Sequence, residues 1–174
     1  MDNLTVKTSS RSREEWMAIA DLPNELRNSV LTADVLIVPS LMVNQPKAFM
    51  VGTMDMLAAF KTQFGNKVEI CISDDDYIEI ELNSRTLRLG KIIVKSIVLP
   101  LFLGVLGNYI SYKLFESKPE AVEIEAPEFQ QPATVSFTIT VEDSIGKRKE
   151  FQYEGPISDY KEISKEIERL WNEE

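Results

Sequence analysis

From Ile92 to Tyr112 the chain runs for 21 residues with a single charge, Lys95, and that run limits every fold the rest can adopt. As one helix at about 1.5 Å per residue it would be roughly 30 Å long, the thickness of a hydrocarbon core. Its surroundings extend the pattern. RTLRLGKIIVKSIVLPLFLGVLGNYISYKLF, from Arg85 to Phe115, carries Arg85, Arg88, Lys91, Lys95 and Lys113 and no acid, in a chain whose net charge is −9. Residues 85–117 therefore read as one helix, basic at its start and transmembrane-like afterwards. The competing reading is a helix buried at the centre of a soluble oligomer. Pro100 would cost about 3 kcal/mol inside a solvated helix, whereas membrane helices tolerate proline and glycine more readily. Leu99, Pro100, Gly104 and Gly107 are the expected helix-packing seam.

On a helix, Arg85, Arg88, Lys91 and Lys95 would fall within a sector of about 120°. Such a stripe suits phosphate, either in lipid headgroups or in an oligonucleotide or nucleotide held between subunits. If the helix spans once, the excess of basic residues before it predicts a cytoplasmic N-terminal domain. Lys118 and Lys147 to Lys149 blur that asymmetry. A helix sheltered in a resting oligomer and inserted only on activation would keep both flanking regions on one side.

The flanks read as an α+β protein in pieces. Ser12 and Glu15 form a capping box for a helix ended by Pro23, and a second short helix begins at Asn24. The run VLIV, Val35 to Val38, has the length and β-branching of a buried strand. Residues 40–52 read as a loop, with Thr53 capping the helix TMDMLAAFKTQF. KVEICISDDDYIEIELN alternates on both sides of an acidic turn and predicts a hairpin. Residues 1–84 thus form a small β-α-β-β unit. Residues 118–132, rich in Pro and Glu, read as a linker. Residues 133–174 read as a ββα module: Val135, Phe137, Ile139 and Val141 share one strand face, and Ser158 caps a helix striped by Tyr160, Ile163, Ile167, Leu170 and Trp171. Alone that module is small, so it should pack on the rest of the chain or on a neighbouring subunit.

Composition excludes much chemistry. Histidine is absent, which removes His-dependent nucleophile pairs and His-ligated zinc, and the one cysteine, Cys71, permits no intrachain disulfide. Asp74 to Asp76 are consecutive on a turn, where aspartate is favoured for solvation and local hydrogen bonding and seldom converges on one ion. No catalytic residues, metal ligands or cofactors are expected. An acid-dependent metal hydrolase using Asp74 to Asp76 would need a second ligand cluster, which the sequence lacks.

A small acidic α/β unit, then DDDYIEIELNSRTLRLGKIIVKSIVLPLFLGVLGNYISYKLF, then an acidic linker and a compact tail, resembles the small prokaryotic membrane effectors of anti-phage defence operons, of the Hailong type. That resemblance implies a non-enzymatic homo-oligomer that senses a nucleotide or DNA-oligomer signal from a partner nucleotidyltransferase and permeabilises the membrane. It implies a bacterial inner-membrane location, or a cytoplasmic one until activation. The alternative from a different class is a membrane-anchored scaffold or adaptor that binds protein partners.

Overall fold

The computed structural model describes residues 3–8, 10–42, 45–82, 85–116 and 134–173, and it is a mixed α+β fold. Capping chemistry starts it as expected. Ser12 Oγ accepts from the Glu15 N–H at 3.2 Å, opening α1 (Arg13–Ala20), and Pro23 precedes α2 (Asn24–Thr32). The all-apolar β2 (Val35–Val38) is buried throughout.

Residues 40–52 are not a loop. They contain β3 (Ser40–Met42) and β4 (Gln45–Met50), which pair antiparallel, before α3 (Thr53–Phe64). The N-cap of α3 is Gly52, at φ +86°; Thr53 is already inside the helix and donates its hydroxyl to the Met50 carbonyl at 2.6 Å. The expected hairpin is also absent. β5 (Val68–Ile70) runs parallel to β2, whereas β6 (Ile78–Ile80) runs parallel to β4 in a separate sheet, so the two alternating segments never meet. Each strand is only three residues long, and its backbone groups found longer-range partners.

The basic start of the presumed long helix is a strand. β7 (Thr86–Lys95) pairs antiparallel with β2 and parallel with β8 (Thr134–Glu142). Its β-branched Ile92, Ile93 and Val94 resemble VLIV, and Gly90, at φ +74°, lies in a bulge between Arg88 and Lys91. Glycine accepts that left-handed backbone without the Cβ clash other residues meet. A single turn, Ser96–Val98, then leads into α4 (Leu99–Glu116), so the apolar run is half strand and half helix.

The C-terminal strand-strand-helix module comprises β8, β9 (Arg148–Pro156) and α5 (Tyr160–Asn172). Asp143 closes the β8–β9 turn by accepting the Ile145 and Lys147 N–H groups at 3.0 and 2.9 Å. Val135, Phe137, Ile139 and Val141 are buried, as are Ile163, Ile167 and Trp171 of the helical stripe. The N-cap of α5 is Asp159 rather than Ser158, because a short turn at Ile157–Asp159 intervenes. The module does pack on the rest, by pairing β8 with β7. With β1 (Leu4–Lys7) on β9, one sheet runs β1-β9-β8-β7-β2-β5, and β3-β4-β6 forms a second. The sequence divisions after residues 84 and 117 thus separate strands of one sheet, while the expected linker 118–132 lies outside the described residues.

Helices cover both faces of the large sheet. Arg13 of α1 reaches Glu142, and Lys91 lies over the Trp16 ring at 5.8 Å. On the opposite face α5 meets Phe137 through Tyr160, with ring centroids 6.0 Å apart. α4 lies between α3 and α5, its Phe102 against Phe60 of α3 at 5.3 Å.

Candidate functional site

α4 has two faces of different chemistry. Leu99, Phe102, Leu103, Leu106, Tyr109 and Ile110 point into the protein and are buried. Ile97, just before the helix, together with Pro100, Leu101, Gly104, Asn108, Ser111 and Tyr112, is exposed. Their spacing of three or four residues makes a continuous stripe that carries no charge. A helix packed on a soluble core ordinarily bears charged side chains there. Ile97 is 83 %, Leu101 53 % and Tyr112 59 % exposed, so apolar groups at both ends of the stripe face outward.

The four residues expected to form a packing seam divide between these faces. Leu99 is buried; Pro100 is exposed in the first turn, where a missing N–H costs little. Gly107 packs within the chain: a Cβ there would come within 2.9 Å of Tyr160 Cε1, and Tyr160 is pinned by donating its hydroxyl to the Leu103 carbonyl at 2.6 Å. Burial also pushes the Tyr160 hydroxyl pKa upward, which keeps it a donor. Gly104 has open space around its missing Cβ. Gly107→Ala is therefore expected to destabilise the protein by about 1–3 kcal/mol through overpacking. Gly104→Ala should stabilise it by about 0.5–1 kcal/mol, since it only removes backbone freedom from a helix interior. Urea midpoints moving in opposite directions would verify the assignment; two equal losses would contradict it.

The four expected phosphate-binding cations do not form one stripe. Arg85 precedes β7. Lys95 donates to the Thr32 carbonyl at 3.0 Å and lies 3.5 Å from Asp34 Oδ1. Lys91 lines an open groove of about 470 Å³ with Lys7, Arg11, Glu15, Trp16 and Glu150. Arg88 lines a different cavity, about 240 Å³, where β7 passes the start of α3 and the last turns of α4. Its Nε is sealed from solvent and has no hydrogen-bond partner among the described residues. Val51, Met56, Leu87 and Tyr109 supply the cavity walls, and Lys113 its rim, 2.6 Å from Asp55 Oδ2. Val51, Met56 and Tyr109 were not legible as site residues, because only the folding of β4 and α3 against α4 assembles them.

The remaining chemical candidates are Cys71 and the acidic turn. Cys71 is fully buried, and burial raises its thiol pKa to about 11 against the opposing pull of Arg13. Asp74 to Asp76 form an exposed turn, held by Ser73 Oγ donating to Asp76 Oδ2 at 3.0 Å. Among the described residues no three His, Cys, Asp or Glu side chains are grouped to hold a metal ion. Comparison with protein-family models, curated proteins and solved structures finds no match to this chain.

Proposed function

We propose that this chain is a non-enzymatic, self-associating membrane effector whose working surface is the outer face of α4. The observation that carries the proposal is the uncharged stripe from Ile97 to Tyr112, exposed on a protein of net charge −9. An exposed apolar helix face is a contact surface for another helix or for lipid. The helix is also long and apolar enough to cross a membrane.

The resting fold argues against a permanent single span. β7 enters α4 and β8 follows it in the chain, yet they pair from Thr86↔Thr134 to Lys95↔Glu142. A span would put these strands on opposite sides of the bilayer and open their ladder. Insertion is therefore conditional: α4 lies against the sheet until self-association or a signal releases it. The antiviral role and the nucleotide or DNA-oligomer signal follow from the resemblance. Within this proposal the signal's place is the groove where Lys7, Arg11 and Lys91 gather, rather than a four-residue stripe.

Leu101→Glu places a charge on the stripe without touching the core. It is expected to abolish co-sedimentation with phosphatidylethanolamine/phosphatidylglycerol vesicles and to shift the oligomer toward monomer in light scattering. If the wild-type protein is monomeric and ignores vesicles with the DNA oligomer or nucleotide supplied, the proposal fails.

One observation favours the adaptor alternative. β3 and β6 are the outer strands of the small sheet, and Leu41 and Ile78 on them are 38 % and 49 % exposed. Outer strands with apolar side chains can accept a partner's strand. Stable capture of one protein partner, lost on Ile78→Lys and without vesicle leakage, would select that reading.

A further inference from the structure

We infer that one end of the large sheet is a docking rim for an anionic lipid surface, with Ile97 and Ile145 as the side chains that enter the headgroup layer. The inference rests on the membrane reading given above and names where the protein first touches a bilayer while α4 is still packed. β7 and β8 are parallel and end side by side, Lys95 opposite Glu142, with neighbouring strands about 4.8 Å apart. Ile97 lies two residues past the end of β7, and Ile145 three past the end of β8. They are 83 % and 88 % exposed, the highest values for any large apolar side chain among the described residues. Single exposed apolar residues are ordinary on a protein surface, but the two extremes meeting on one rim mark a contact. Pro100 and Leu101, exposed on the first turn of α4, extend the same apolar edge.

The tip carrying Ile145 is preformed. Asp143 Oδ1 accepts the N–H groups of Ile145 and Lys147, and Gly146, at φ +93°, completes the turn. A tip already fixed in place has little conformational freedom left to lose on insertion.

The charge of the partner follows from the cations behind these tips. β2 and β5 begin where β7 ends, which places Asp34 on this rim. Lys67 and Lys95 share that one carboxylate at 3.7 and 3.5 Å, leaving a positive charge over. Around the start of β9, Lys147 and Lys149 donate to the Trp171 and Leu170 carbonyls at the end of α5. A carbonyl accepts the hydrogen bond without cancelling the charge. Glu142 is matched by Arg13, so Asp143 is the turn's remaining carboxylate. The rim is thus cationic on a chain of net charge −9. Apolar tips backed by lysines suit a bilayer with anionic lipid, because hydrocarbon enters the interface while ammonium groups stay level with the phosphates. A second copy of the chain, rim to rim, would set these cations against their own kind.

The test uses the full chain and vesicles of phosphatidylcholine, with and without phosphatidylglycerol. The wild type is expected to bind the anionic vesicles roughly tenfold or more tightly than the neutral ones. Ile145→Ser should weaken that binding roughly tenfold without moving the urea midpoint, and Ile78→Ser, the loss of an exposed isoleucine from the small sheet, should leave it unchanged. In Ile145→Trp the added indole should shift its emission to the blue on anionic vesicles, whereas Trp16 and Trp171 are buried beforehand. Ile145 lies outside α4, so the two readings fail separately. If Leu101→Glu abolishes vesicle binding and Ile145→Ser binds as the wild type does, the rim is overturned and the role of α4 stands. If Ile145→Ser weakens binding and the vesicles never leak, the rim stands and the release of α4 does not. The rim is also overturned if neutral vesicles bind equally well or if the Ile145→Trp emission does not move.

Discussion

Replacing Arg13 by methionine is expected to lower the free energy of unfolding by about 3–5 kcal/mol, the usual cost of stranding one half of a buried ion pair. Arg13 is 5 % exposed, although arginine belongs to the residue types least often found buried. Its Nε donates to Glu142 Oε1 at 2.5 Å and its Nη1 to the Val30 carbonyl at 2.6 Å. One side chain thereby fastens α1 to the end of α2 and to β8, across a sequence separation of 129 residues. Without it the Glu142 carboxylate, only 15 % exposed, keeps its desolvation cost and loses its counter-charge. The Val30 carbonyl loses a donor as well. Arg13→Met combined with Glu142→Met should recover part of the loss, because two apolar groups strand no charge. Urea denaturation of the two singles and the double measures this. A loss below about 1 kcal/mol for Arg13→Met would mean that the pair behaves as a solvated surface bridge.

The second large effect concerns the helix itself. Phe102 is fully buried under α3, against Phe60, and Phe102→Ala should cost about 3–5 kcal/mol from lost burial and the cavity left behind. If α4 is held against the sheet until released, the same substitution should raise vesicle binding while it lowers stability, since it weakens the resting contact and leaves the outer stripe untouched. Leu101→Glu predicts the opposite pair of results: little change in stability and loss of vesicle binding. Together they separate a membrane element in waiting from an ordinary core helix. If Phe102→Ala lowers stability and vesicle binding alike, the released-helix reading is wrong.

Sequence revealed the parts of this fold whose signals are local. The Ser12 N-cap, the VLIV strand, the β8–β9 hairpin and the α5 stripe each depend on a few neighbouring residues, and each is present. What failed depended on distant partners. The alternation on both sides of Asp74 to Asp76 suggested a hairpin, but β5 and β6 are three residues each and were claimed by β2 and β4. The run from Arg85 reads as one helix because length and apolarity do not distinguish a buried strand followed by a half-buried helix from one long helix. Its β-branched Ile92-Ile93-Val94 and the preceding Gly90 were the available signals for a strand. A basic stripe fails with it, since spacings of three and four align residues only on a helix and β7 is a strand.

The pairing of β7 with β8 also has a consequence in time. Synthesis completes α4 before any residue of β8, β9 or α5 exists. At roughly 5–20 residues per second, the stretch from Glu116 to Asn172 takes about 3–11 s to make. Throughout that interval the face formed by Leu103, Leu106 and Ile110 has only the earlier part of the chain to cover it. The nascent protein therefore holds this helix against the earlier part of the chain alone for seconds, before α5, which packs on it in the finished fold, exists.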